Sequence, residues 1–118
     1  MNELALCAGV GGMSLGVGLV APGHSAAAYV EGEAYAVEIL AARMEDGAIP
    51  AAPAWSDLTS FDARPFRGCV DLVTSGLPCQ PYSVAGKRLA DEDDRALWPH
   101  FVRLSCPILA VPLPTKGP

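Results

Sequence analysis

The sequence predicts an α/β fold built around a parallel sheet of the doubly wound type. Short apolar runs alternate along the chain with longer segments whose apolar residues recur at helical spacing. Turns that contain glycine or proline close several of these runs. The chain has 118 residues, of which 51% are hydrophobic and 18% are charged, and this composition suits one globular domain.

The first third of the chain predicts two strand–helix units. Residues 4–7 form an apolar run that is closed by a glycine turn at 8–12, and residues 13–19 continue with helical spacing. The apolar run at 26–30 leads into Glu31. The segment 33–44 follows, with strong helix formers, acidic residues early and Arg43 late, as the helix dipole prefers.

The rest of the chain predicts shorter elements. A third strand at 54–56 runs into Asp57, and a fourth at 69–74 is rich in β-branched residues. A loop at 77–94 leads to a helix over 95–104, in which Pro99 is tolerable only in the first turn. Ile108–Val111 predicts a last strand, and the prolines that follow predict an irregular end.

Net charge, cysteine spacing and the distribution of charged residues argue against a self-sufficient DNA-binding domain, a structural zinc site and a membrane span. The net charge of -5 is the opposite of the basic footprint of a self-sufficient DNA-binding domain, so a nucleic-acid role needs local basic loops or a further part. The four cysteines form no C-x-x-C pair, which disfavours a structural zinc site and favours reduced cytosolic thiols. The uncharged stretch between Glu3 and Glu31 contains six glycines and a proline, which disfavours a membrane span.

Three features point to a cofactor site. The glycines at 9–12, between a strand and a helix, would bring backbone N–H groups close to a ligand, although an ordinary tight turn explains them equally well. Glu31 ends the second strand, where nucleotide-binding sheets place an acid for ribose hydroxyls. Asp57 ends the third strand and could accept from an adenine amino group. A solvated Glu31 and a helix-capping Asp57 are the alternatives.

The segment 75–83 is the most specific part of the sequence. It places Cys79 on a loop at the carboxyl end of a strand, where sheets of this class bind ligands. Pro78 and Pro81 restrict this loop, so a nucleophile is favoured over a structural cysteine. Cys7, Cys69 and Cys106 lie in apolar runs and are predicted to be core residues.

These residues resemble one family, the DNA (cytosine-5) methyltransferases. Ala8-Gly9-Val10-Gly11-Gly12 resembles the first motif of the family, and Gly76-Leu77-Pro78-Cys79-Gln80-Pro81-Tyr82-Ser83 resembles its catalytic motif. Glu31 and Asp57 fall at the cofactor-contacting acids of the second and third motifs. The similarity continues through Gly86-Lys87-Arg88 and 93–98, and it runs in order from about Leu4 to Leu104.

The resemblance implies a Rossmann-like methyltransferase fold that uses S-adenosylmethionine, with its N-terminal part in residues 1–104 and a divergent tail in 105–118. It implies that the Cys79 thiolate adds to cytosine C6, so that C5 accepts the methyl group. It assigns the remaining site residues by role. The catalytic loop also contributes Pro78, Gln80 and Ser83. The cofactor residues are Ala8, Gly9, Gly11, Gly12, Glu31, Asp57, Gly76 and Pro78. The candidates for DNA contacts are Ser83, Lys87, Arg88 and Arg95, where a solvated loop is the alternative for Lys87 and Arg88.

The resemblance ends before the motifs that complete the reaction. Family members carry a Glu-Asn-Val motif at the end of the strand that follows the helix predicted at 95–104, whereas this sequence has Val111-Pro112-Leu113-Pro114 there and no acidic residue after Asp94. The sequence therefore predicts the front part of a bacterial or phage cytosine-5 methyltransferase, acting on DNA in the cytoplasm. Three alternatives stay open: an inactive remnant or cofactor-binding module, one half of a split enzyme completed by a second chain, and an unrelated thiol enzyme.

Overall fold

The structure is a computed structural model, and it describes residues 1–76 and 97–109. Pro78, Cys79, Gln80, Ser83, Lys87, Arg88 and Arg95 lie outside the described residues, as does the end of the chain from 110. None of the described helices is long and apolar enough to cross a membrane.

The first half of the chain forms the two predicted strand–helix units. Strand β1 spans Asn2–Leu6 and helix α1 spans Gly12–Val20. Strand β2 spans Ser25–Val30 and helix α2 spans Ala34–Glu45. Each predicted element is present, with its ends displaced by three residues or fewer, since hydrophobic periodicity locates an element better than its ends.

The second half contains shorter strands and one long helix. Strand β3 is only Ala54–Trp55, a 3₁₀ turn covers Arg64–Phe66, and strand β4 spans Leu72–Ser75. Helix α3 spans Trp98–Leu109, with Pro99 in its first turn, where the missing N–H has no intrahelical acceptor to lose.

All four strands are parallel and lie in the order β3-β2-β1-β4. Leu6 at the end of β1 is level with Val30 of β2 and with Ser75 of β4, and Val30 is level with Trp55 of β3. The parallel α/β fold predicted from the sequence is confirmed. Because the strands end together, the segments that follow them meet at one edge of the sheet.

The core lies on both faces of the sheet, because successive strand residues point to opposite faces. Ala5 and Tyr29 pack with Leu40 of α2 and Ile49 on one face. Leu4, Leu6 and Val30 face the other side, together with residues from the loop after β3 and from α3. The residues from this loop and from α3 are Leu58, Phe61, Ala63, Val70, Leu104 and Ile108. Helix α3 therefore covers the face opposite to α2.

A buried polar cluster ties α1 to the sheet. Glu3 of β1 is fully buried and accepts hydrogen bonds from the Ser14 hydroxyl at 3.1 Å and from the Thr74 hydroxyl. His24 Nε2 lies 2.8 Å from its other oxygen, Oε1. The cluster joins β1, β4, α1 and the loop before β2. It satisfies an acidic side chain in a place where an unpaired one would be costly.

Two predictions are wrong. The strand predicted over Ile108–Val111 does not begin at Ile108, because Ile108 and Leu109 belong to α3 and Ile108 is buried one helical turn beyond Leu104, while residues 110 and 111 lie outside the described residues. The helix therefore continues five residues past its predicted end, and residues 105–109 are not part of an irregular tail. Cys69 is exposed in the turn before β4, which begins only at Leu72, and is therefore not a core residue.

Candidate cofactor site

A cleft of about 410 Å³ lies at the carboxyl edge of the sheet. Its walls come from the segments that follow all four strands and from the residue before α3. These segments contribute Cys7, Gly9, Glu31, Asp57, Gly76 and Leu97. This is the edge at which parallel sheets bind ligands, and its volume is within the usual range for small-molecule sites.

The glycine turn between β1 and α1 forms one wall. Gly9 and Gly11 have φ angles of 59° and 85°, which favour glycine. A Cβ atom at Gly9 or Gly12 would meet nothing within 4 Å, so the backbone there faces open space. At Gly11 a Cβ atom would lie 3.0 Å from Leu40 and 3.1 Å from Ile49. Gly11 therefore seats the turn against the core, whereas Gly9 faces the cleft.

A smaller cleft of about 270 Å³ adjoins the glycine turn. Ala8, Gly9 and Gly12 line it on one side, and Thr74, Ser75 and Gly76 line it on the other. The sequence-predicted cofactor residues Ala8 and Gly12 thus lie beside this second space rather than in the larger cleft. The two clefts share Cys7, Gly9 and Gly76.

Arg43 holds the glycine turn from the outside. It lies in the last turn of α2, and its Nη1 donates to the Val10 carbonyl at 2.8 Å. The hydrogen bond crosses 33 positions of sequence, and sequence reasoning did not find it. Its position at the end of a helix suggested only a favourable interaction with the helix dipole.

Glu31 joins two walls of the cleft. Its Oε2 accepts from the Gly9 N–H at 2.5 Å, and its Oε1 accepts from the Glu33 N–H at 3.0 Å. A carboxylate has about four lone-pair sites, so the two backbone bonds leave about two sites for a ligand. Glu31 therefore fixes the glycine turn and can still accept from a pair of hydroxyl groups.

Asp57 lies on the opposite side of the cleft, directly after β3. Its Oδ1 accepts from the Thr59 N–H at 2.9 Å and from the Thr59 hydroxyl at 2.7 Å. These two hydrogen bonds lower the pKa of Asp57 below its ordinary value, and the Ser60 hydroxyl and the nearby His100 lower it further. Both Thr59 bonds go to Oδ1, so Oδ2 is the oxygen at which a ligand donor can bind. The alternative role, a helix cap, is not what Asp57 does, because the bond closes a turn rather than a helix.

Cys7 and Gly76 meet at the base of the cleft. Cys7 has a φ of 49°, and a Cβ atom at Gly76 would lie 3.2 Å from the Cys7 carbonyl oxygen. Burial raises the pKa of the Cys7 thiol to about 11, and the charge of Glu31 contributes to the rise. The core role predicted for Cys7 is only partly right, because the residue is half-buried and lines the cleft. Cys7 directly follows β1, and this position at a strand end is the feature of the sequence that could have predicted its place in the cleft.

The comparisons with known proteins agree with this geometry. A family model described as C-5 cytosine-specific DNA methylase matches residues 1–107. The chain belongs to this family. The resemblance inferred from the motifs is therefore confirmed.

Several curated relatives from this family are bacterial type II methyltransferases. Type II methyltransferase M.NgoMIV of Neisseria gonorrhoeae is 36% identical in an alignment of 108 positions that covers 88% of this chain and 31% of the relative. M.PspPI of Psychrobacter sp. is 38% identical in an alignment of 94 positions that covers 76% of this chain and 20% of the relative. M.Eco47II of Escherichia coli is 35% identical in an alignment of 96 positions that covers 78% of this chain and 21% of the relative. The chain thus spans about a third or less of these relatives' length.

Proposed function

We propose that the chain is the cofactor-binding and nucleophile-bearing part of a DNA (cytosine-5) methyltransferase, which transfers a methyl group from S-adenosylmethionine to C5 of cytosine in DNA. The observation that carries the proposal is the convergence of Gly9, Glu31 and Asp57 on one cleft at the carboxyl edge of the sheet. Membership of the C-5 cytosine-specific DNA methylase family supports the choice of reaction. Since the substrate is DNA, we expect the protein to act in the cytoplasm of its bacterial or phage-infected host.

The residues of the cleft suit the parts of S-adenosylmethionine. The two backbone bonds leave about two lone-pair sites of Glu31 unused among the described residues, and these match the two hydroxyl groups of a ribose. Oδ2 of Asp57, which the Thr59 bonds leave unused, can accept from the amino group of an adenine. The open backbone at Gly9 and Gly12 leaves room for the methionine end beside the first turn of α1. The cofactor supplies an activated methyl group when bound.

The chemistry falls to the loop after Gly76, which lies outside the described residues. We propose that Cys79 attacks C6 of a cytosine turned out of the double helix, forming a sulfur–carbon bond. The electron pair displaced onto C5 then forms the bond to the methyl group, whose bond to the donor sulfur breaks. Loss of the C5 proton to a base expels the thiolate and restores the aromatic ring. Pro78, Gln80 and Ser83 would position the thiol and the base, and Lys87, Arg88 and Arg95 would contact phosphates.

The test supplies, as a second chain, the part of a relative that this chain does not match. The 118-residue chain is mixed with a polypeptide that covers the part of M.NgoMIV outside the matched segment, with DNA and with S-adenosylmethionine labelled in the methyl group. We expect label to enter DNA only when both chains are present. Cys79→Ser should abolish transfer and leave cofactor binding intact, whereas Cys69→Ser, which changes an exposed cysteine outside the cleft, should change neither.

Two results would overturn the proposal. Labelling that survives in Cys79→Ser would remove the assigned nucleophile. A folded chain that binds no S-adenosylmethionine would remove the assigned cofactor site.

A further inference from the structure

Helix α3 forms part of the wall that carries Asp57. Leu97, directly before the helix, lines the cleft, and Leu104 and Ile108 are buried against the loop after β3. In that loop Leu58 and Phe61 belong to the same core cluster. The helix and the turn that follows Asp57 therefore pack as one layer over the sheet.

Arg103 of α3 binds the backbone of this turn. Its Nη2 donates to the Leu58 carbonyl at 3.3 Å and to the Thr59 carbonyl at 3.4 Å, and its Nη1 donates to the Phe61 carbonyl at 3.4 Å. A guanidinium group is planar and carries five donors, so it can gather several carbonyl oxygens at once. The partners lie 42 to 45 positions earlier in the sequence, so only the fold brings them together.

The same turn is held on its other side by Asp57. The Asp57 carboxyl group accepts from the backbone and side chain of Thr59, while the Thr59 carbonyl accepts from Arg103. The position of the Asp57 carboxyl group thus depends on a backbone whose carbonyl groups are fixed by Arg103. No side chain of the turn itself makes a comparable set of bonds to these carbonyl groups in the part of the chain that the structure describes.

We propose that Arg103 is a positioning residue for the cofactor site, which acts by holding the Asp57 turn in the geometry that receives the adenine. This inference rests on the proposed function, because it assigns Arg103 a role in the same cofactor cleft. It predicts that Arg103 affects the affinity for S-adenosylmethionine through the position of Asp57 and not through Glu31 on the opposite wall.

Arg64 provides a matched control on the same side of the protein. Its guanidinium group pairs with the Asp62 carboxylate, with both nitrogen–oxygen distances at 3.0 Å, and its side chain is 83% exposed. Arg64→Met removes the same charge as Arg103→Met, but it leaves the hydrogen bonds between Arg103 and the Asp57 turn in place. The difference between the two variants therefore isolates the bonds to the carbonyl groups.

The experiment measures S-adenosylmethionine binding to the 118-residue chain by calorimetry, at a temperature where each variant is folded by circular dichroism. We expect Arg103→Met to raise the Kd about tenfold, Arg103→Lys to raise it less, and Arg64→Met to leave it within about twofold. Combined with Asp57→Asn, Arg103→Met should add little, because both changes disable the same contact. Combined with Glu31→Gln, Arg103→Met should raise the Kd by the product of the two single effects, because Glu31 lies on the other wall of the cleft.

A purely structural Arg103 would behave differently. It would lower the melting temperature without raising the Kd of the folded chain, or it would show the same coupling to Asp57 and to Glu31. Either result overturns the inference. If Arg103→Met does not fold, Arg103→Lys carries the test, and a wild-type Kd in this variant together with unchanged hydrogen exchange at the Thr59 amide contradicts the inference.

Failure of the proposed function is distinct. In that case the unsubstituted, folded chain does not bind S-adenosylmethionine, and the inference about Arg103 falls with it. Binding that is lost in Asp57→Asn but unaffected by both Arg103 variants refutes only the role of Arg103.

Discussion

Replacing Glu31 with alanine should raise the Kd for S-adenosylmethionine and lower the stability of the chain. Its carboxyl group holds the Gly9 N–H at 2.5 Å and the Glu33 N–H at 3.0 Å, and it keeps about two lone-pair sites for the ribose hydroxyls. Hydrogen bonds to a charged group contribute about 1.5–3 kcal/mol each, and the lower value applies here because Glu31 is partly exposed. Two lost ribose bonds amount to about 3 kcal/mol, or roughly 100-fold in Kd.

The same substitution should cost stability. The lost bond to Gly9 corresponds to about 1.5 kcal/mol, which lowers the melting temperature of a chain of this size by about 5 °C. Glu31→Gln keeps the volume but turns an N–H group toward one of the two backbone donors, so it should weaken binding about tenfold. Glu38→Gln makes the same charge change on the exposed side of α2 and serves as the control.

Calorimetric titration with S-adenosylmethionine and a thermal melt of each variant measure both effects. The reasoning is refuted if folded Glu31→Ala binds the cofactor within about threefold of the unsubstituted chain. It is also refuted if Glu38→Gln weakens binding as much as Glu31→Gln does.

Three further predictions concern the surroundings of the cleft. Arg43→Met should raise the Kd for S-adenosylmethionine about fivefold because the Val10 carbonyl loses its donor, and calorimetry showing no change would contradict this. Glu3→Ala should lower the free energy of unfolding in urea by about 2–6 kcal/mol, because the buried hydroxyl groups of Ser14 and Thr74 lose their acceptor at about 1–3 kcal/mol each, and a loss below about 1 kcal/mol would refute the role of the cluster. Alkylation of Cys7, followed by mass spectrometry of the tryptic peptide that ends at Arg43, should rise about tenfold per pH unit from pH 7.5 toward 10, because only the thiolate reacts and its pKa is raised to about 11. Cofactor should slow this alkylation, and a rate that ignores both pH and cofactor would contradict the placement of Cys7 in the cleft.

Much of the fold follows from local signals in the sequence. The glycine turn after β1 and the helix α2 are each determined by residues that are close together in the sequence, so their positions were predictable. The end of α3 was not recognised because the run at 108–111 is apolar and β-branched, as strands are. The spacing of Leu97, Phe101, Leu104 and Ile108 is nevertheless helical, and burial of this face against the loop after β3 decides the outcome.

The candidate site was predictable only where it follows the strand ends. Glu31 and Asp57 come directly after strands, and the common edge of a parallel sheet brings them together. Arg43 and Arg103 could not be predicted, because their acceptors are backbone carbonyl groups that are distant in sequence and carry no residue-specific signal. The cluster around Glu3 was missed for a similar reason, since its hydroxyl partners become neighbours only when β4 pairs with β1.

Binding of S-adenosylmethionine to the folded 118-residue chain tests the central claim most directly. Titration calorimetry should give one site per chain, with competition by S-adenosylhomocysteine and a loss of affinity in both Glu31→Ala and Asp57→Asn. A chain with native circular dichroism that takes up no cofactor would contradict the claim, as would binding that is indifferent to both substitutions.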